Sequence, residues 1–176
     1  GFDISERSIV DGLAHVRWPA RLQVLSREAP MIVVDGAHNP FSMGRLVEAV
    51  GKHFEYDRIF VLFGALGSKS AEGMLAELSE LSPSVVAVSS RDPRSAPSDI
   101  ISMVVSQQGL EVLFESEDVA SATRRVIDMA GADDLVLGTG SLFVAAEVIE
   151  VVQGIKPELY PNIKRTTRVP QSRVRT

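Results

Sequence analysis

Short aliphatic, β-branched runs alternate with longer stretches of helical period along most of this chain. Ser5 to Val16 reads as a helix with Ser5 as its N-cap, and Leu22 to Leu25 as an extended stretch after Pro19. Met31 to Val34 is a strand of the buried type and ends at Asp35. Pro40 to Phe54 predicts a helix, with Pro in its first turn and Leu46, Val47 and Val50 on one side. Further strands are predicted at Ile59 to Phe63, Val85 to Val88, Leu110 to Phe114 and Leu135 to Leu137. Helices are predicted from Ser70 to about Leu81, Ser98 to about Gln108, Asp118 to Met129 and Ser141 to about Val152. Strands separated by helices imply an α/β fold: a Rossmann-like, mostly parallel sheet with helices on both faces. Runs such as FVLF and VVAV, apolar at every position, suit strands covered on both sides.

Such a sheet needs one sizeable core, and 176 residues with 45% hydrophobic content supply it. The periodic part, residues 1–153, reads as one domain. From residue 154 onward Pro157, Pro161 and Pro170 interrupt a stretch without clear period, which reads as an extended or disordered tail. The net charge of −5 is unevenly spread: from Lys156 onward there are six basic residues and one acid. The tail is therefore basic and the body acidic, which argues against nucleic acid as the main partner. No apolar run is long enough to span a bilayer, so no membrane partner is expected. The chain has no cysteine, which removes thiolate chemistry and fits a cytoplasmic setting.

In open parallel sheets ligands bind outside the carboxyl ends of the strands. The unusual residues fall there, in Asp35–Pro40, Gly64–Lys69 and Gly138–Ser141. Asp35 at a strand end can accept two hydrogen bonds from a ribose diol, or it can cap the turn. His38, on a small-residue loop before a helix, can donate to an anionic oxygen, or it can pack locally. His15 and His53 lie on predicted helices as surface or packing residues. Gly64-Ala-Leu-Gly-Ser-Lys-Ser is not a Walker A loop, since Ser68 stands directly before Lys69, and it is not G-x-G-x-x-G. It presents Lys69, a point charge suited to a carboxylate. Gly138-Thr-Gly-Ser forms an anion-binding corner at a helix start, where Ser141 can also be the N-cap. Arg21, in Trp18-Pro-Ala-Arg-Leu, offers a permanently charged fork to phosphate, carboxylate or an adenine face. No paired histidines or cysteines at ligand spacing suggest a metal site.

Taken together, Trp18-Pro-Ala-Arg-Leu and Asp35-Gly-Ala-His-Asn-Pro resemble the W-P-G-R-L … D-G-A-H-N-P signature of the folylpolyglutamate synthase / dihydrofolate synthase family, in the Mur ligase superfamily. Gly64 to Lys69 resembles its G-x-x-x-D-K-D loop, Pro93-Arg-Ser-Ala its P-R-A segment, and Thr139-Gly-Ser-Leu-Phe its T-G-S-L-Y segment. The resemblance covers roughly Phe2 to Val152, in family order, and implies a C-terminal, Rossmann-like domain.

The activity so implied is ATP-dependent ligation of L-glutamate to a folate or dihydropteroate carboxylate through an acyl phosphate, with magnesium at the transferring phosphate. By the same resemblance Arg21 and Asp35 contact ATP, His38 is catalytic and near the incoming glutamate or phosphate, and Lys69 and Ser141 hold glutamate carboxylates. The first partner is then the protein's own N-terminal P-loop ATPase domain, which also carries most of the magnesium site. The chain lacks that phosphate loop, so alone it is expected to be inactive and cut from a longer protein. Ser68 and Ser70 replace the two Asp of D-K-D, removing carboxylates that could orient Lys69 or bind a potassium ion. Ala20 replaces the usual Gly, a change expected to be harmless. Two other readings are weighed against this one: a Mur-type ligase for another amino acid, and a non-catalytic docking module using the basic tail.

Overall fold

The computed structural model describes residues 4–67 and 71–157. Six strands form one sheet: β1 (Gln23–Ser26), β2 (Met31–Val34), β3 (Ile59–Phe63), β4 (Ser84–Val88), β5 (Glu111–Ser116) and β6 (Leu135–Thr139). Their order across the sheet is β1-β2-β6-β3-β4-β5. Every pairing is parallel except that of β1, which runs antiparallel to β2 at the edge. The short Pro30-containing turn between β1 and β2 leaves no room for a crossover helix, so this pair must be antiparallel.

Central strands β3 and β6 are buried at all five positions, as their unbroken apolar runs predict. Alternate residues feed two cores. One face carries Val33, Val61, Phe63 and Leu137 against Met43, Val50, Met74, Leu78 and Ile101. These partners come from α2 (Pro40–His53), α3 (Ala71–Leu78) and α4 (Ser98–Gln107). The other face carries Val34, Leu62 and Val136 against Val119, Val126, Val144 and Val148. That layer is α5 (Val119–Met129) and α6 (Leu142–Gln153).

The helix starts follow from local chemistry. Asn39 caps α2 in a reciprocal box with Ser42, and Pro40 follows it directly. Asp118 caps α5 and Ser141 caps α6 through its hydroxyl. Helix α3 ends at Leu78 and tightens into a 3-10 turn over Ser79–Leu81, earlier than its apolar pattern implies. Far from the strand-end loops, Arg58 reaches across to Asp134 with two hydrogen bonds of 3.1 and 2.6 Å. That bidentate grip holds the Asp134 carboxyl below the usual carboxylate range.

Helix α1 (Glu6–Ala14) stands apart from this body. Ser5 caps it as expected, yet none of its residues is buried. Ile9, Val10 and Leu13 are all exposed, and Ile4, Val16 and Trp18 beside the helix are exposed too. These large apolar side chains form an exposed patch that the sheet and its helices leave uncovered.

Candidate nucleotide and amino-acid site

Three loops meet at the carboxyl ends of β2, β3 and β6, and backbone contacts tie them together. The Asp35 amide donates to the Gly138 carbonyl at 3.0 Å, and the Gly64 amide to the Thr139 carbonyl at 3.4 Å. A Cβ on Gly36 would lie 3.3 Å from the Ala20 carbonyl oxygen and would push the partly exposed Leu142 side chain aside. Gly140 adopts φ +93°, and a Cβ on it would press on the Gly64 carbonyl oxygen at 2.6 Å. Glycines at these points therefore let the loops approach at backbone distance. The Gly64 loop continues into residues 68–70, so Lys69 and the substituted Ser68 and Ser70 lie outside the described residues.

A fourth loop crosses them. The Gly36 amide donates to the Ala20 carbonyl at 2.8 Å, and the Leu22 amide to Asp35 Oδ2 at 2.7 Å. Oδ1 of Asp35 accepts from the Ala37 amide at 2.7 Å. Each carboxylate oxygen thus holds one backbone amide, one from each side of the crossing. Asp35 is the clasp between Trp18–Leu22 and Asp35–Pro40, and capping and binding are compatible roles. A carboxylate has about four acceptor sites, so two remain for a ligand hydroxyl pair.

This crossing requires Ala20 and Leu22 to sit at φ +56° and +40°, in the left-handed region. Left-handed backbone costs Ala roughly 1–2 kcal/mol. The Ala20 methyl is buried in the second core, which returns about 0.8 kcal/mol. A Gly here would also loosen the unfolded chain, a further penalty of about 0.4–1 kcal/mol. The terms nearly cancel. Ala20→Gly is expected to move the unfolding free energy by less than about 1 kcal/mol in a urea titration.

His38 is half-buried, and its Nδ1 lies 2.8 Å from the Gly36 carbonyl oxygen. A carbonyl only accepts, so Nδ1 carries the proton and the neutral ring leaves Nε2 as an acceptor. The ring can donate to an anion through Nε2 only as imidazolium, which narrows the sequence expectation. The His38 amide donates to Ser42 Oγ at 3.1 Å, fixing the ring's backbone to the first turn of α2. His15 caps the end of α1 and His53 ends α2, both exposed.

Ser141 is 2% exposed, and its Oγ accepts from the Val144 amide at 3.1 Å. The N-cap role is therefore filled, and any ligand contact by this hydroxyl would use its remaining proton. Next to it the buried Thr139 hydroxyl has no hydrogen-bond partner among the described residues.

Arg21 and Asp35 line the same open cleft of about 260 Å³, together with Leu22, Phe41, Ser42, Arg45, Leu46 and Ala49. Arg21 is exposed, with its guanidinium 5.6 Å from the centre of the Trp18 ring. His38 and Ser141 are not among the lining residues of that cleft; they sit on the adjoining loops. Sequence reasoning missed Phe41 and Arg45, whose only signal is their spacing of four on a helix that starts at the site.

The P-R-A segment is structural. Asp92, 2% exposed, accepts from the Arg94 amide at 2.8 Å and from its guanidinium at 2.9 and 2.8 Å. The Arg94 grip holds the Asp92 carboxyl below its ordinary range. Arg91 binds Glu150 through its guanidinium, and its amide donates to buried Glu147 at 2.7 Å, bracing α6 against the end of β4. Burial pushes the Glu147 carboxyl up despite that partner.

Among the described residues no group of three or more His, Asp or Glu side chains could hold a metal ion. No helix is long and apolar enough to cross a membrane among those residues.

An open, mostly parallel α/β sheet with a cleft beside the carboxyl ends of its strands is an architecture that many ligand-binding domains share, and sequence comparison narrows this. Residues 20–142 match the Mur ligase glutamate ligase domain, and the chain belongs to that family. It is 37% identical over 147 residues to the "Probable bifunctional folylpolyglutamate synthase/dihydropteroate synthase" of Halobacterium salinarum, covering 82% of this chain and 17% of that protein. E. coli FolC in complex with DHPP and ADP superposes with a TM-score of 0.78 at 29% identity, covering 88% of this chain and 36% of that one. A bifunctional folylpolyglutamate synthase/dihydrofolate synthase with Mn, AMPPNP and L-glutamate bound superposes with a TM-score of 0.75 at 27% identity, covering 86% and 36%. The chain thus spans about a third of the length of these solved relatives. The doubly covered, mostly parallel sheet expected from the sequence is the fold observed, and it is the fold these relatives share.

Proposed function

We propose that this chain is the C-terminal, glutamate-handling domain of an ATP-dependent folylpolyglutamate / dihydrofolate synthase. The observation that carries the reading is the crossing of Trp18–Leu22 over Asp35–Pro40 at the strand ends, joined by the Asp35 clasp. The wild-type reaction forms two bonds in turn. A carboxylate oxygen of the folate or dihydropteroate takes the γ-phosphoryl group of ATP, releasing ADP. The amine of L-glutamate then attacks the acyl carbonyl, inorganic phosphate leaves, and the amine nitrogen loses its extra proton. Magnesium, which would be held chiefly by the P-loop domain, would supply charge neutralisation at the phosphates.

In this chain Arg21 offers its guanidinium to the nucleotide phosphates, and Asp35 its spare acceptor sites to the ribose hydroxyls. Neutral His38 presents Nε2, a base suited to take the proton that the amine loses. The anion corner at Ser141 faces the glutamate carboxylates, and Lys69 is assigned to the same task. The exposed apolar side of α1 supports packing against the P-loop domain, whose closure would complete the site and exclude water. A reaction that draws on ATP and folate suits the cytoplasm.

His38→Ala in the full-length protein is expected to lower glutamate-dependent phosphate release by about a hundredfold or more, the usual contribution of a positioned base. Release at the wild-type rate would remove His38 from the chemistry.

A further inference from the structure

We propose that Phe41 and Arg45, on the first turns of α2, form the stacking wall for the purine ring of the nucleotide. This rests on the ligase reading above and adds residues to its nucleotide subsite. Phe41 is 78% exposed, a large apolar ring held in water at the edge of the cleft. It belongs to neither core, so burial within this chain does not explain it. The Arg45 guanidinium lies 5.6 Å from the Phe41 ring centre and pairs with Glu48 at 2.6 Å.

Glu48 offsets part of the Arg45 charge at this exposed position, and the planar guanidinium lies beside the Phe41 ring. Arg21 across the cleft has no carboxylate partner among the described residues, so the free positive charge sits there. The cleft thus offers an apolar floor of Leu22, Leu46 and Ala49, a flat aromatic wall, spare carboxylate acceptors and one unneutralised guanidinium. A flat ring with a diol and an anionic arm matches all four, and a nucleotide has those parts. The cleft's 260 Å³ is smaller than a typical enclosed ligand pocket of roughly 300–1,000 Å³, as fits a half-site holding one part of a ligand.

The test measures ADP and tripolyphosphate binding to the full-length protein by calorimetry, for wild type, Phe41→Ala and Phe41→Tyr. Base–aromatic stacking is worth enough that Phe41→Ala should weaken ADP about tenfold or more. Phe41→Tyr should hold near-wild-type affinity, and tripolyphosphate, which has no ring, should bind all three alike. In turnover the KM for ATP should rise in Phe41→Ala while the KM for L-glutamate stays put. Wild-type ADP affinity in Phe41→Ala would overturn the stacking wall and leave the ligase reading standing. Equal weakening of ADP and tripolyphosphate would also overturn it, since the change would then be in the loop and not in ring contact. A wild-type protein that binds no ADP would sink the ligase reading and this inference together.

Discussion

Asp35→Asn should cost the full-length protein two orders of magnitude or more in ATP-dependent turnover, though the side chain keeps its shape. Both Asp35 oxygens accept backbone amides, from Leu22 and from Ala37, each at 2.7 Å. An amide side chain has one acceptor and one donor group, so Asn must turn its NH₂ toward one of those N–H groups. One buried amide then goes unpaired, at a cost of about 1–3 kcal/mol. The protein tolerates that loss within a typical stability of about 5–15 kcal/mol, so it should fold. The crossing of Trp18–Leu22 over the Asp35 loop, however, would open, displacing Arg21 from the cleft. A displacement of about 1 Å in a positioning residue is enough for roughly a hundredfold loss in rate. Steady-state kinetics at varied ATP, with circular dichroism to confirm folding, checks this. An Asp35→Asn enzyme with wild-type turnover and KM for ATP would show that the clasp is structural alone.

Gly140→Ala has the largest expected effect on the fold itself. Gly140 sits at φ +93°, where a non-glycine residue is strained by about 1–3 kcal/mol. The added Cβ would also lie 2.6 Å from the Gly64 carbonyl oxygen and 2.9 Å from the Phe63 ring, neither of which can retreat from the centre of the sheet. Overpacking adds about 1–3 kcal/mol, for a total of about 2–6 kcal/mol. In a domain of this size that lowers Tm by roughly 4–24 °C. Gly154→Ala supplies the control: its φ is +64°, but a Cβ there meets nothing within 4 Å. It should lose only about 1 kcal/mol, the cost of left-handed backbone in open space. Equal losses for the two would mean that close approach of the Gly64 and Gly138–Ser141 loops does not constrain the fold.

Much of this architecture is legible from the chain because the buried strands are apolar at every position. Met31–Val34 matched its expected bounds, and Ile59–Phe63 did too. Two helix caps were equally readable, since Ser5 and Ser141 act through their own side chains on amides three residues away, whereas Asp118, read as the first residue of its helix, is the cap before it. The edge strand was harder. Leu22 to Leu25 reads as extended, and the short turn after it makes it antiparallel to the next strand, but its place at the edge of the sheet follows only from the tertiary pairing. Strand β5 continues to Ser116, past the apolar run, because an edge strand with one wet side tolerates Glu115 and Ser116.

The motif residues lie on loops that the fold brings together at the strand ends, but their types did not disclose how those loops are bonded. Asp35 reads as a ribose ligand or a cap of its own turn; the structure shows it capping the turn at Ala37 and also clasping Leu22, thirteen residues earlier in the chain. That bond depends on left-handed turns at Ala20 and Leu22, which neither residue type announces. Phe41 was invisible for a different reason. A Phe near a helix start reads as core by default, and only its placement on the outer side of α2 makes it an exposed ring.

The central claim is that this domain serves glutamate ligation, and the product measures it most directly. The full-length protein should be incubated with ATP, magnesium, L-glutamate and either dihydropteroate or tetrahydrofolate, and the pterin analysed by mass spectrometry. The account predicts a pterin heavier by one glutamyl residue or more, formed only when ATP and L-glutamate are both present, with phosphate released alongside it. A folded protein that leaves both pterins unchanged while ligating a different amino acid, or none, would contradict it.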